Sequence, residues 1–384
     1  MTDIFLNFAR MNLHVVSFQV PFPADFGGAI DVFWKLQALR QEGHSVTLHT
    51  YVYADRRRQP LLEQLCQKVY YYPRLTGWRQ QFTLLPYIVS TRRSQVLLAN
   101  LLSDDAPILF EGLHTCFHLD HPALAQRWKA VRMHNIEHDY YRQLARQSPL
   151  GWKRLYYLIE SWRLKRFEHK LASANLVYAI TQADQQGLKK LLPETNVQLM
   201  PCFFDIRFPA AQQPTQPFVL FQGNLAVAEN AKAARFIISQ VAPLLPDVSF
   251  VIAGRSPRLG QVPANVRIVA NPTDEQMEQL TASAQIHLLL TFQPTGIKLK
   301  LLYALVRGNG HIVANSLMLH GHDLGQFCTV ADTAGDMAQH IKRLLSLPLT
   351  SDDLARRRSK LLSIRQQAVS QFALLQTNPQ TNIH

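Results

Sequence analysis

The stretch that decides the fold is Thr295-Gly-Ile-Lys-Leu-Lys-Leu-Leu-Tyr-Ala-Leu-Val-Arg307, which runs on into Gly308-Asn-Gly-His-Ile-Val-Ala-Asn315. A glycine loop opens a short helix with two lysines near its start, and the helix leads into an apolar strand. Free N–H groups at a helix start, the positive end of its dipole and lysine side chains together make a cradle for phosphate. Lys298 and Lys300 stand two apart, so on a helix they lie on different faces. Lys298, nearer the start, is expected to meet phosphate, and Lys300 solvent or a different oxygen.

Outward from this segment, strand and helix patterns alternate. Upstream lie strands at Phe218 to Gln222, Val248 to Ala253, Arg267 to Val269 and Ile286 to Leu290, with helices at Ala231 to Leu245 and Asp274 to Ser283. Before them, Phe208-Pro-Ala-Ala-Gln-Gln-Pro-Thr-Gln-Pro217 has little capacity to build a core, which places an interdomain linker at 207–217. The first half alternates in the same way. Leu13 to Val20 reads as a buried strand, which turns through Pro21 to Gly28 into a helix ending near Gly43, and further strands follow at Ser45 to Tyr53, Lys68 to Tyr72, Pro107 to Phe110, Ala130 to Met133 and Leu176 to Ile180. This alternation predicts an α/β protein of two doubly wound, Rossmann-like domains, 11–206 and 218–350. A polar helix over 351–376 is expected to pack over the outside, and 377–384 to form a tail.

Composition bounds the function. With 384 residues, 47% of them hydrophobic, the chain can bury two cores. Four well-separated cysteines without C-x-x-C spacing read as ordinary thiols of a reducing compartment. No run of eighteen uncharged apolar residues spans a bilayer and residues 1–10, before Met11, lack the order of a signal peptide, so a cytoplasmic protein is expected. The net charge of +13 calls for an anionic partner. Nucleic acid is not the partner expected, because no recognition motif accompanies the charge. Lys153, Arg154, Arg163, Lys165, Arg166 and Lys170 gather on one predicted helix with Trp152, Tyr156, Tyr157 and Trp162, a composition suited to an anionic membrane surface.

Several polar groups fall at strand ends, where open α/β sheets bind ligands. Asp25, Gly27 and Gly28 form a turn that lets backbone approach a ligand, and Glu111 closes an apolar run. His134 and Asn135 follow another strand, with His134 able to donate to a sugar hydroxyl or a leaving phosphate oxygen. Glu111 is placed to contact an acceptor or to orient His134. His134, Glu137 and His138 lack the H-E-x-x-H order, and no metal is assigned. In the second half, Gly223, Asn224, Arg255 and Asn271 lie on loops of one common sheet edge.

Taken together, these residues resemble the large family of retaining GT-B glycosyltransferases that includes many bacterial mannosyl- and glucosyltransferases. The likeness runs over nearly the whole chain from Met11. It rests on Gly27-Gly28, His134-Asn135, Gly223-Asn-Leu225, Ile252-Ala-Gly-Arg255 and, most specifically, Gly296-Ile-Lys-Leu-Lys-Leu-Leu302. The resemblance implies two domains facing across a cleft, an acceptor site in the first and a nucleotide-sugar site in the second. It implies no cofactor and no metal, with a nucleoside diphosphate sugar as co-substrate and a carbohydrate or lipid-linked acceptor. His134 and Lys298 are then the expected catalytic groups. Gly223, Asn224, Arg255, Asn271, Thr295, Gly296, Lys298, Lys300 and Tyr303 are the expected donor contacts, with Asp25, Gly27, Gly28, Glu111 and Asn135 facing the acceptor. Two departures stand out. Thr295 and Tyr303 occupy the places of the family's paired glutamates, and Asn224 and Glu229 those of its phosphate-binding arginine and lysine. A nucleotide-sugar epimerase and a non-catalytic sugar-nucleotide binder are the competing readings.

Overall fold

The computed structural model describes residues 10–53, 56–209, 217–255, 259–292, 298–321, 323–347 and 349–375. The chain divides into two units, one formed by the residues up to Phe204 together with those from Ile364 onward, the other by Asp205–Ser363. Helices of nine or more residues are labelled α below.

Among the described residues, unit 1 is built on seven parallel strands: β1 (Asn12–Ser17), β2 (Ser45–Val52), β3 (Lys68–Pro73), β4 (Ile108–Glu111), β5 (Lys129–Arg132), β6 (Leu176–Ala179) and β7 (Val197–Leu199). Their order is β3-β2-β1-β4-β5-β6-β7, with every pairing parallel. The central strands are buried on both faces, as their near-continuous apolar runs require. The helices are α1 (Gly27–Gln41), α2 (Glu137–Gln147), α3 (Trp152–Glu168) and α4 (Gln182–Leu191). Two apolar clusters flank the sheet. One gathers Val16, Phe110, Val131, Leu164 and Leu188, and the other Leu13, Leu36, Leu109, Tyr178 and Phe372.

Among its described residues, unit 2 carries six parallel strands: β8 (Phe218–Gln222), β9 (Ser249–Gly254), β10 (Val266–Ala270), β11 (Ile286–Leu289), β12 (His311–Ala314) and β13 (Thr329–Val330), in the order β10-β9-β8-β11-β12-β13. Its helices are α5 (Ala228–Phe236), α6 (Asp274–Ser283), α7 (Leu299–Arg307) and α8 (Ala334–Leu345). The last helix, α9 (Ser351–Ser370), begins in unit 2 and ends in unit 1. Both sheets reverse their strand order once, between β1 and β4 and between β8 and β11. The carboxyl ends of those strands are where such folds open a ligand crevice. Among the described residues, no helix is long and apolar enough to cross a membrane.

Two readings of the sequence need correction, that of Gly27-Gly28 and that of the helix over 231–245. Gly27 and Gly28 are the first residues of α1 and not a turn; a Cβ at Gly28 would strike the Phe18 ring, so what approaches this backbone is an aromatic side chain. Cys202, Phe203 and Phe204, ahead of the expected linker, are buried, and Phe203 stacks on Phe372. The unit boundary falls at Phe204, and residues 210–216 lie outside those described. The final helix buries one face and leaves the rest of its surface exposed or half-buried, as a helix laid over a domain does. Leu361, Ala368 and Phe372 are fully buried, and the Arg357 guanidinium donates to the Gly308 and Gly310 carbonyls at 3.2 and 3.0 Å. The segment 231–245 is not one helix: α5 widens into a π turn at Ile237–Val241 and closes on a 3₁₀ turn containing Pro243, whose ring cannot continue an α-helical ladder.

Candidate active site

Each unit gathers polar side chains at its own reversal point. In unit 1 the reversal brings together Glu111 at the end of β4, Arg132 at the end of β5, His134 just beyond it, and Asp31 and Lys35 from α1. Asp31 and Lys35 are one helical turn apart and so share a face. The Lys35 ammonium pairs with Glu111 Oε1 and stands 3.8 Å from Asp31. Arg132 pairs with Asp31 and donates to the Met200 and Pro201 carbonyls at 3.1 and 2.9 Å. Asp31 also accepts the Phe203 N–H at 2.7 Å.

Asp31, Lys35, Glu111 and Arg132 are fully buried, so none of these charges is solvated and each depends on its partner. Two carboxylates and two cations balance. Burial alone would raise the Glu111 pKa, but Lys35 and His134 outweigh it and hold the carboxyl below its ordinary range. Burial lowers His134, against the pull of Glu111. A neutral His134 donates from Nε2 to Glu111 Oε2 at 3.1 Å, which leaves Nδ1 as an acceptor. The chemical capacity of this cluster is a neutral imidazole fixed in one tautomer. Asp31, Glu111 and His134 also bring three ligand atoms within 4.8 Å of one another. Both carboxylates are already neutralised by Lys35 and Arg132, so we assign no metal to them.

The other unit 1 candidates stand apart from this network or at its margin. Asp25 pairs with Arg56, which also donates to the Val20 and Pro23 carbonyls. Asn135 follows His134, and its buried Oδ1 has no hydrogen-bond partner among the described residues. Glu137 and His138 do not join His134: His138 pairs with Glu168, and burial together with the Glu168 charge raises Glu137 to about 8. Asp31, Lys35 and Arg132 were not anticipated from sequence. Their signal was there, as a charged i,i+4 pair inside an apolar helix and an arginine inside an apolar strand.

In unit 2 the reversal collects Gly223 and Asn224 after β8, Glu229 and Asn230 in the first turn of α5, Thr291 after β11, and Lys298 and Lys300 at the start of α7. Glu229 accepts from the Thr291 hydroxyl and, at 3.3 Å, from the Phe292 N–H. Lys300 donates to Asn230 Oδ1 at 2.7 Å and to the Leu290 carbonyl at 3.2 Å. Of the two expectations for Lys300, solvent or a different oxygen, it is the second that these bonds match. Lys298 is the residue capping α7 and lies just outside the helix proper. Burial lowers Lys298 and lowers Lys300 to about 8, and the Glu229 charge opposes the shift in both.

Asn224 Oδ1 accepts from the Ala226 N–H at 3.1 Å, and Asn230 donates back to the Asn224 carbonyl at 3.0 Å, fixing the loop after β8. A Cβ on Gly254 would collide with the Gly223 carbonyl, so the exits of β8 and β9 can approach only with glycine there. Arg255 is exposed just beyond, its carbonyl accepting from Leu225 N at 3.0 Å. Asn271 holds a positive φ of 48° after β10 and bonds to the Gly254 carbonyl at 2.9 Å. Tyr303 is turned toward α6, against Thr281 and near Glu278, and burial raises its pKa. Thr295 and Gly296 lie outside the described residues.

No family model matches the chain. A protein of Klebsiella pneumoniae named an uncharacterized 44.6 kDa protein in cps region is 26% identical over 352 residues, which cover 85% of this chain and 89% of that protein. The solved sucrose-phosphate synthase of Thermosynechococcus elongatus is similar with a TM-score of 0.67 at 15% identity, covering 95% of this chain and 98% of that one. A UDP-forming α,α-trehalose-phosphate synthase from Burkholderia vietnamiensis is similar with a TM-score of 0.58 at 15% identity, covering 94% and 97%. Identities this low carry the architecture and not the reaction: the chain has the GT-B fold, with two parallel Rossmann-like α/β domains, in common with these synthases.

Proposed function

We propose that the protein is a glycosyltransferase that moves a hexose from a nucleoside diphosphate sugar to a carbohydrate or lipid-linked acceptor, with retention and without a metal. The observation that carries this reading is the pair of lysines held at the start of α7, at the reversal of a GT-B sheet. A departing diphosphate takes up the electron pair of the broken C1–O bond, and the charge it gains is what fixed ammonium groups and a helix N-terminus stabilise. The acceptor hydroxyl oxygen forms the new bond to C1, and its proton passes to the leaving diphosphate. In unit 1, the neutral His134 is suited to hydrogen-bond a sugar hydroxyl. A relative in a cps region, a region for capsular polysaccharide, supports a role in cell-envelope glycan synthesis.

Tyr303 favours a second reading. It stands where the resembled family carries a carboxylate, yet it packs against α6, which suits sugar-nucleotide binding without transfer. One set of measurements separates the two. Calorimetry with UDP and GDP should show binding of one of them, and Lys298→Ala should weaken it by about tenfold or more. Donor incubated with a panel of glycan and lipid-linked acceptors should then give a transferred sugar. Binding without product in that panel would favour the second reading, product from donor alone would indicate an epimerase, and no binding of either nucleotide would defeat both transferase and binder.

A further inference from the structure

Outside both polar clusters, unit 1 exposes a band of large apolar and aromatic side chains. On α3, Trp152, Leu155, Ile159 and Trp162 recur at spacings of three and four, which places them along one side of the helix. All four are exposed, Trp152 to 87%. The loop ahead of Tyr87 adds Trp78, Phe82 and Leu84, exposed to 69%, 79% and 86%. The two segments are joined: Arg163 donates to the Gln81 carbonyl at 3.0 Å, and Glu160 accepts the Tyr87 N–H at 2.7 Å. They are therefore held side by side. Isolated exposed apolar residues are ordinary, but a contiguous group of this kind marks an interaction site.

The charge on this surface has one sign. From Gln64 to Ser103 the chain contains no Asp or Glu, and from Ser148 to Lys170 it contains only Glu160 and Glu168. Both of these are fully buried and paired, with Arg163 and His138. Lys153, Lys165, Arg166 and Arg79 stay exposed among the aromatics, and Arg166 lies 5.2 Å from the Trp162 ring centre. Exposed tryptophans interleaved with cations, and no exposed carboxylate in either segment, match the electrostatics and polarity of an anionic headgroup layer.

We propose that this surface, formed by α3 and the Trp78–Leu84 loop, docks unit 1 on an anionic phospholipid bilayer, with α3 lying in the plane of the membrane. Trp78, Phe82, Leu84 and Trp152 enter the headgroup boundary, and the flanking Lys and Arg contact lipid phosphate. The proposal does not depend on transferase activity, because docking is measured with no sugar nucleotide present.

The test is flotation of the full chain with phosphatidylglycerol-containing vesicles and with pure phosphatidylcholine vesicles. At low salt, the anionic vesicles should carry about tenfold more protein, and about 0.5 M NaCl should remove most of that preference. Replacing Trp78, Phe82 and Trp152 by Ser changes exposed positions only, so circular dichroism and thermal unfolding should match the wild type while anionic-vesicle binding falls severalfold. Brominated phosphatidylglycerol should quench wild-type tryptophan fluorescence. Equal binding to both lipids, or wild-type flotation of the folded triple variant, would overturn the proposal. So would a wild-type dimer, seen by light scattering, that the triple variant converts to monomer, because the surface would then be covered by a second copy.

Discussion

Lys300 is the side chain whose charge is poised near neutral pH. Burial lowers its ammonium from 10.5 to about 8, Glu229 opposes the shift and Lys298 adds to it. Its charge is lost as pH rises through about 8, so if it meets a diphosphate, nucleotide affinity should fall between about pH 7 and about pH 9 by up to tenfold. Lys300→Arg keeps its charge and should flatten that fall, as titration calorimetry across the range would show; an unaltered pH profile would remove Lys300 from the nucleotide site. The stability effect has the opposite slope. With the folded value below the unfolded one, the folded state binds fewer protons between about 8 and 10.5, so unfolding free energy rises with pH across that window. Lys298, Lys300, His134 and Glu111 were visible in the sequence because each follows or ends a recognisable strand or opens a helix. Asp31, Lys35 and Arg132 were not, because a charged residue inside an apolar element is read by default as a solvated position, and only the fold shows that α1 turns its pair onto Glu111.

One helix was legible at both its ends, and its cap shows why. The segment Asp274 to Ser283 matches α6 at both ends, since Thr273 and Gln276 form a reciprocal capping box that satisfies two free N–H groups. Thr273→Ala should cost about 1 kcal/mol, read as faster amide exchange across α6 with the sheet of unit 2 unchanged. Equal exchange in both proteins would show that packing alone fixes this helix end. The same kind of signal marks α8, where the Thr333 hydroxyl accepts from the Asp336 N–H and Met337, Ala338, Ile341 and Leu344 are buried at helical spacing. That helix went unread although its apolar residues recur at helical spacing. β7 and β13 escaped for a different reason: strands of three and two residues are too short to show any periodicity.

At the scale of the molecule, the chain leaves unit 1 after Phe204, builds unit 2, and returns to complete the core it began. Ala368, Val369, Phe372 and Leu375 belong to the same apolar cluster as Leu13, Leu36 and Phe203, with Phe372 stacked 5.5 Å from Phe203 and the Gln371 carbonyl accepting from the Tyr178 hydroxyl at 2.9 Å. A sequence reading sees only a polar helix here, because the few apolar residues that matter are spread over its last turns and their partners lie more than 160 positions upstream. The consequence is that unit 1 cannot be complete until the whole chain has been made. Phe372→Ala removes a fully buried aromatic and should cost about 3–5 kcal/mol. A chain ending at Ser363 should lose more. Hydrogen exchange resolves where the loss falls: β1, β2 and β6 should exchange faster in the truncated chain, while β8, β9 and β11 keep the protection they have in the full one. If the strands of unit 2 lost protection to the same degree, the two cores would be unfolding as one, and the assignment of residues 364–375 to unit 1 alone would fail.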